Sequence, residues 1–116
     1  MICDSQLFAA FMDSLKNPFL FVDNDHIIRY LNRAAKAHYS EGEKLIGRSI
    51  LDCHNEDSRR QILEIFEKMK EGLEERLITD NERHRIYMRA VRDPLGRLLG
   101  YYERYEPPRK GAEPTP

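Results

Sequence analysis

The chain is 116 residues long, 34% charged and 41% apolar, with a formal net charge of -1. That suits one globular domain with a modest core, and the near-neutral balance supplies no field to gather nucleic acid or an anionic membrane. Cys3 and Cys53 are too few for a disulfide framework. No apolar run approaches the ~20 residues of a membrane helix. The start MICDSQLFAAFMDSL, interrupted by Asp4 and Asp13, does not read as a signal peptide, so a cytoplasmic protein with no membrane or nucleic-acid partner is the expectation.

In chain order, Asp4 or Ser5 is placed to cap a helix in which Leu7, Phe8, Phe11, Met12 and Leu15 recur at helical spacing. Asn17–Pro18 ends it. FLFV (residues 19–22) and IIRYL (residues 27–31) flank the polar turn DNDH and predict a hairpin. Asn32 is a good N-cap for the short helix RAAKAHYS. GEKLIGRS predicts one or two further turns, broken at Gly47. Asp57 or Ser58 is placed to cap a longer helix over residues 59–71. Ile62, Ile65, Phe66 and Met69 give it an apolar stripe, and Gly72 supplies its stop. EERLIT, RHRIYMRAVR and RLLGYYERY read as three strands, joined by the turns DNE and DPLG. The tail EPPRKGAEPTP holds no core former and predicts disorder over residues 107–116.

Strands gathered at both ends, with helices between, predict an α+β domain: a five-stranded antiparallel sheet carrying short helices and one longer helix on one face. The division is an N-terminal amphipathic helix over 1–16, a sheet domain over 17–106 and the tail.

Three stretches carry a family likeness: NPFLFVDNDHIIRYLNRAA, LIGRS and MRAVRDPLGRLLGYYE. In that order and spacing the sequence resembles a PAS (sensory-box) domain over roughly residues 5 to 105. GRSILDCHNEDS together with AVRDPLGRLLGYYE is most similar to a subgroup of small sensory-box domains with Cys-His after the Gly-Arg step. The resemblance implies strand order 2-1-5-4-3, with helices enclosing a cavity on the inner face of the sheet. It implies signal transduction: a ligand sensed in the cavity, and a message passed through the sheet and the N-terminal helix. Some members bind haem or flavin, and many serve only to dimerise.

Cys53 and His54 are the most reactive pair in the sequence. Adjacent residues point apart, and His26, His38 and His84 make no zinc spacing with them, so no metal site is expected. A haem held by His54, just before the long helix, is the cofactor alternative. A c-type attachment is excluded, since no Cys-x-x-Cys-His is present. A flavin adduct is disfavoured, because Ile50 stands where photosensory members place their cysteine and Cys53 comes three residues later. Acids beside the pair already serve the start of the following helix, so no catalytic residue and no enzyme is expected. The simplest readings make Cys53 a mostly buried small hydrophobe and have His54 hydrogen-bond locally.

Alternation in RHRIYMRAVR puts His84, Ile86, Met88 and Ala90 on one face. Cys53, His54, Ile65, Met69, His84, Ile86 and Met88 are therefore the candidate cavity residues. The crowded arginines of the last two strands read as cross-strand ion pairs, with an inward arginine for an anionic ligand as the alternative. Arg48 is placed to reach Asp52 or Asp93. Phe8, Phe11, Met12 and Leu15, with Tyr101 and Tyr105, are the candidate homodimer interface. No kinase, cyclase or DNA-binding signature is present, so output belongs to a partner, a parent chain or the dimer mate. A cofactor-free dimerisation scaffold is the remaining alternative.

Overall fold

Helix α1 (Asp4–Asp13) opens the described part of the computed structural model, residues 4–109. It is followed by β1 (Phe19–Asp23), β2 (Ile28–Leu31), α2 (Arg33–His38), the 3₁₀ turns Gly42–Leu45 and Ile50–Cys53, α3 (Glu56–Lys70), β3 (Glu75–Asp80), β4 (Arg85–Arg92) and β5 (Leu98–Glu106). The strands form one antiparallel sheet in the order β2-β1-β5-β4-β3. The first hairpin and the last three strands thus knit into a single wall, as the sequence order predicts.

The middle of the chain covers that wall. Ile62, Ile65, Phe66 and Met69 of α3 pack with Leu20, Val22, Ile28, Leu31, Met88 and Tyr101 from four strands, all of them buried. Burying each such side chain contributes about 1.5–3 kcal/mol. Packing on the sheet, more than intrinsic propensity, is what holds α3 helical. Its N-cap is Asn55, whose side chain accepts from the Ser58 N–H at 2.8 Å, and not Asp57 or Ser58. Asn55 takes the extended backbone a cap requires, which leaves Glu56 and Asp57 in the first turn beside the positive end of the helix dipole.

A register shift in the β1–β2 pair decides which residues face out. Val22 pairs with Ile28, Phe21 with Tyr30 and Leu20 with Leu31. The extra residue, Arg29, lets Ile28 and Leu31 both reach the core while Tyr30 joins Phe21 on the outer face. Along β1 and β5 the backbones come very close at Gly100. A Cβ there would lie 2.2 Å from the Val22 carbonyl oxygen, so only glycine fits.

Helix α1 lies on the outer face, opposite the other helices. Its Phe8 ring sits 6.4 Å from that of Tyr30, and Tyr30 Oη donates to the Ala9 carbonyl. None of its side chains is fully buried. Asn32 ties it to the rest. Fully buried, its Oδ1 accepts from Phe19 N–H and Ala35 N–H, both at 3.0 Å, and its Nδ2 donates to the carbonyls of Met12 (3.1 Å) and Asn17 (3.0 Å). One side chain therefore caps α2, starts β1 and anchors the end of α1. Of the tail expected to be disordered, Pro107 accepts from Arg85 and Arg109 pairs with Asp80. Residues 110–116 lie outside the described residues, as does Cys3.

Candidate functional site

Between the sheet and its helical cover lies a cavity of about 340 Å³, within the size range of small-ligand sites. Its floor is the inner face of the sheet: Leu20, Ile86, Glu103 and Tyr105. Tyr39, Ser40 and Glu41 after α2, Ile50, Cys53 and His54 of the second 3₁₀ segment, Ser58, Gln61 and Ile62 of α3, and Ile78 and Thr79 of β3 form its walls. Among the described residues no lysine or arginine lines it.

Strand alternation explains the floor. In Tyr101–Tyr105 every second side chain points inward, so Tyr101, Glu103 and Tyr105 share the inner face. Glu103 sits mid-sheet, paired with Leu20 of β1 and Met88 of β4. Both neighbouring inward phenols have partners. Tyr101 Oη meets His26 Nδ1 at 3.0 Å, and Tyr105 Oη meets Tyr39 Oη at 2.8 Å. Glu103 does not. It is 5% exposed, and its Oε2 is buried without a hydrogen-bond partner. An orphan of this kind costs about 1–3 kcal/mol or more. Burial pushes its carboxyl up to about 7. Burial, then the neighbouring Tyr105 and Glu103, raises the Tyr39 phenol well above its ordinary range.

His54 has a defined partner. Its Nδ1 lies 2.8 Å from the Ile50 carbonyl oxygen. A carbonyl only accepts, so Nδ1 is the donor, and in a neutral ring Nε2 is the free acceptor.

The structure distributes the candidate cavity residues over two layers. Cys53, His54 and Ile86 line the cavity. Ile65, Met69 and Met88 are fully buried in the core beside it, because the α3 stripe and the centre of β4 close on each other there. His84 stands at the margin, edge-to-face with Tyr105 at a ring-centroid distance of 5.0 Å. Burial, then His38 and Arg83, lowers its pKa. Cys53 is exposed at the cavity mouth, not the buried hydrophobe expected, because the 3₁₀ segment turns Ile50 inward in its place. Glu103 had not been singled out. Its signal was the one acid in the inward phase of an aromatic strand.

Two further expectations need correction. Tyr101 is completely buried and Tyr105 faces the cavity, so neither lies on an outer surface. Tyr102 takes that place, its ring 5.6 Å from Phe19. Arg48 pairs with Glu41, and with neither Asp52 nor Asp93. Asp93 instead holds its own turn, accepting from Leu95 N–H and Arg97 N–H. The arginines of the last strands do form cross-strand pairs. Arg104 reaches Glu75 at 2.8 Å and Arg89 reaches Glu75 at 3.3 Å, while Arg104 also pairs along its own strand with Glu106 at 2.7 Å. None turns into the cavity.

Behind the floor is a second, almost wholly apolar groove of about 560 Å³ between α1 and the outer face of the sheet. Phe8, Phe11, Met12 and Leu15 line it with Phe21, Tyr30 and Tyr102. Leu20 borders both spaces.

A PAS-domain family model matches residues 8–106. The chain belongs to the PAS family. Solved structures agree on the fold. A C-terminal domain from Streptococcus mutans superposes with a TM-score of 0.76 at 20% identity, covering 91% of this chain and 85% of that one. The PAS domain of a Colwellia psychrerythraea protein gives 0.67 at 12% identity, covering 89% and 95%. The Aer2 receptor of Vibrio cholerae, described as a dual PAS-haem oxygen sensor, gives 0.54 at 18%, covering 78% and 92%. No curated protein matches the sequence. PAS domains are sensory and signalling modules of kinases and receptors. In this PAS domain no described helix is long and apolar enough to cross a membrane.

Proposed function

We propose that this PAS domain is a non-enzymatic cytoplasmic sensor that binds a small molecule in the inner cavity and transmits the change through its sheet and α1 to a partner or dimer mate. The observation that carries the reading is the cavity itself: ligand-sized, walled by apolar and hydroxyl side chains, with an unsatisfied carboxyl in its floor. Filling it bears on Leu20 of β1, which also borders the outer groove. Asn32 joins β1, α2 and the last turn of α1 in one hydrogen-bonded knot. A ligand that is bound more tightly by one arrangement of β1 and α2 thereby shifts the docking of α1. The exposed Phe8 and Phe11 on α1, 58% and 59% accessible, suit a second copy of the same helix as the occupant of the outer groove.

Native mass spectrometry of freshly purified protein tests the reading. It predicts a co-purifying small molecule, or slowed hydrogen exchange in both α3 and α1 when a ligand is added. A domain that exchanges identically with every ligand tried, and carries nothing, is the cofactor-free scaffold instead.

A second reading is haem sensing. His54 lines the cavity and bonds through Nδ1–H to the Ile50 carbonyl, an arrangement that iron-binding histidines use and that leaves Nε2 of a neutral ring for the metal. The donor fits. The room does not, because a porphyrin exceeds a space of about 340 Å³ whose floor carries a buried acid. An intense near-ultraviolet band, abolished in His54→Ala, would establish haem; a colourless protein that takes up no added haem would eliminate it.

A further inference from the structure

The proposed sensing role leaves the ligand's chemistry open, and the floor of the cavity narrows it. Glu103 is 95% removed from solvent, and its Oε2 has no protein partner. Native interiors rarely leave such an atom unpaired, so its partner is expected from outside the fold. Among the described residues no lysine or arginine lines the cavity, and Glu41 adds a second acid to its wall. The arginines of β4 and β5 are spent on Glu74, Glu75 and Glu106. An anionic ligand would meet like charge and no counter-ion. A bare metal ion would find too few donors, since no group of three His, Cys, Asp or Glu side chains suited to a metal exists among the described residues. The walls instead offer Ile62, Ile78 and Ile86 for an apolar body and the Tyr39–Tyr105 pair beside the acid, a surrounding that favours organic cations.

We propose, resting on the sensor reading, that the cavity selects a small organic cation carrying N–H donors, an ammonium or amidinium group on an apolar body, with Glu103 as its counter-ion. The groups facing Glu103 are few. Its strand neighbours Leu20 and Met88 are apolar. The phenols of Tyr39, Tyr101 and Tyr105 are all raised by burial and stay neutral. Glu41, Cys53 and His54 line the same cavity, and His26 is occupied by Tyr101. With its carboxyl near 7, Glu103 is largely protonated in the empty cavity at slightly acid pH. A bound cation keeps the carboxylate form, and the displaced proton leaves to solvent, so affinity for a permanently charged amidinium rises with pH through 7.

The probes are benzamidine and tyramine, each titrated calorimetrically against the full chain beside uncharged isosteres (benzamide, 4-hydroxyphenethyl alcohol) and an anion (benzoate). At least one cation is expected to bind more tightly than its isostere and to lose about tenfold or more affinity in Glu103→Gln, the scale of a charge-assisted bond. That variant, folded by circular dichroism, keeps its affinity for the neutral probes. Carboxyl-labelled glutamate followed by NMR should show the Glu103 midpoint falling on benzamidine binding. Cations that bind Glu103→Gln as tightly as the native chain, or that fail to bind at all, overturn the proposal. If benzoate or a neutral probe binds instead, the cavity is still a ligand site and the sensor reading survives.

Discussion

Replacing Glu103 by glutamine removes one buried ionisable group and leaves shape almost unchanged, so the pH dependence of stability becomes a direct test of the cavity floor. Burial lifts the carboxyl from an ordinary 4.5 to about 7. At roughly 1.4 kcal/mol per tenfold, that makes the ionised form unfavourable by about 3 kcal/mol, an upper figure because water can reach a strained site. The sign follows from proton binding. Between 4.5 and 7 the folded chain holds a proton that the unfolded chain has released, so stability falls as pH rises through that window and stays lowered above it. Below 4.5 both states are protonated and the penalty is absent. Other groups oppose or flank this trend. His26 and His84, lowered by burial, and Asp23 and Glu75, lowered on balance by their arginine partners despite burial, lose stability toward acid, but they do so equally in both proteins. Urea unfolding of the ligand-free protein at pH 4 should therefore give similar free energies for the native chain and Glu103→Gln. At pH 8.5 the variant should be more stable by about 2–3 kcal/mol, on the order of 10 °C in midpoint for a domain of this size. Parallel curves across this range would show that Glu103 is solvated or paired, and the orphan in the cavity floor would be refuted.

Three more outcomes follow from the packing of the domain. Asn32→Ala removes four hydrogen bonds around a fully buried side chain and should cost about 3 kcal/mol in chemical denaturation; a loss within about 0.5 kcal/mol would mean that α1 is not anchored there. Gly100→Ala drives a Cβ into the Val22 carbonyl oxygen, 2.2 Å away, at a φ of 153°, and should unfold the domain or cost more than about 3 kcal/mol; ordinary expression and an unchanged midpoint would contradict the β1–β5 spacing. Phe11→Glu places a charge on an exposed apolar helix face and should leave stability within about 0.5 kcal/mol while shifting native mass from dimer to monomer; an unchanged mass distribution would remove α1 from the interface.

Local signals sufficed for the wall and its cover. The alternation in RHRIYMRAVR, the stripe of Ile62, Ile65, Phe66 and Met69, and the Asn32 cap are short-range patterns, and each produced the element it implied. The resemblance to PAS domains then supplied the strand order that periodicity could not. The site was less legible. His54 and Ile86 could be placed near the cavity from their elements alone. Cys53 could be placed there too, but its exposure was not legible, since whether a residue in a 3₁₀ turn faces in or out depends on where the next helix starts, and Asn55 rather than Asp57 set that start. Tyr101 and Tyr102 were exchanged between faces because alternation fixes which residues travel together but not which set meets the core.

The amino-acid order alone determined the elements, their sequence and the family, because caps, turns and hydrophobic periods act over a few neighbouring residues. Only the tertiary structure decided that Glu103 of β5 turns inward, that β4 turns its arginines away from the cavity, and that Leu20 stands between two spaces. Those facts depend on pairings between residues as far apart as Leu20 and Glu103. The burial of a carboxyl is a property of what packs around it, which no single stretch of chain encodes.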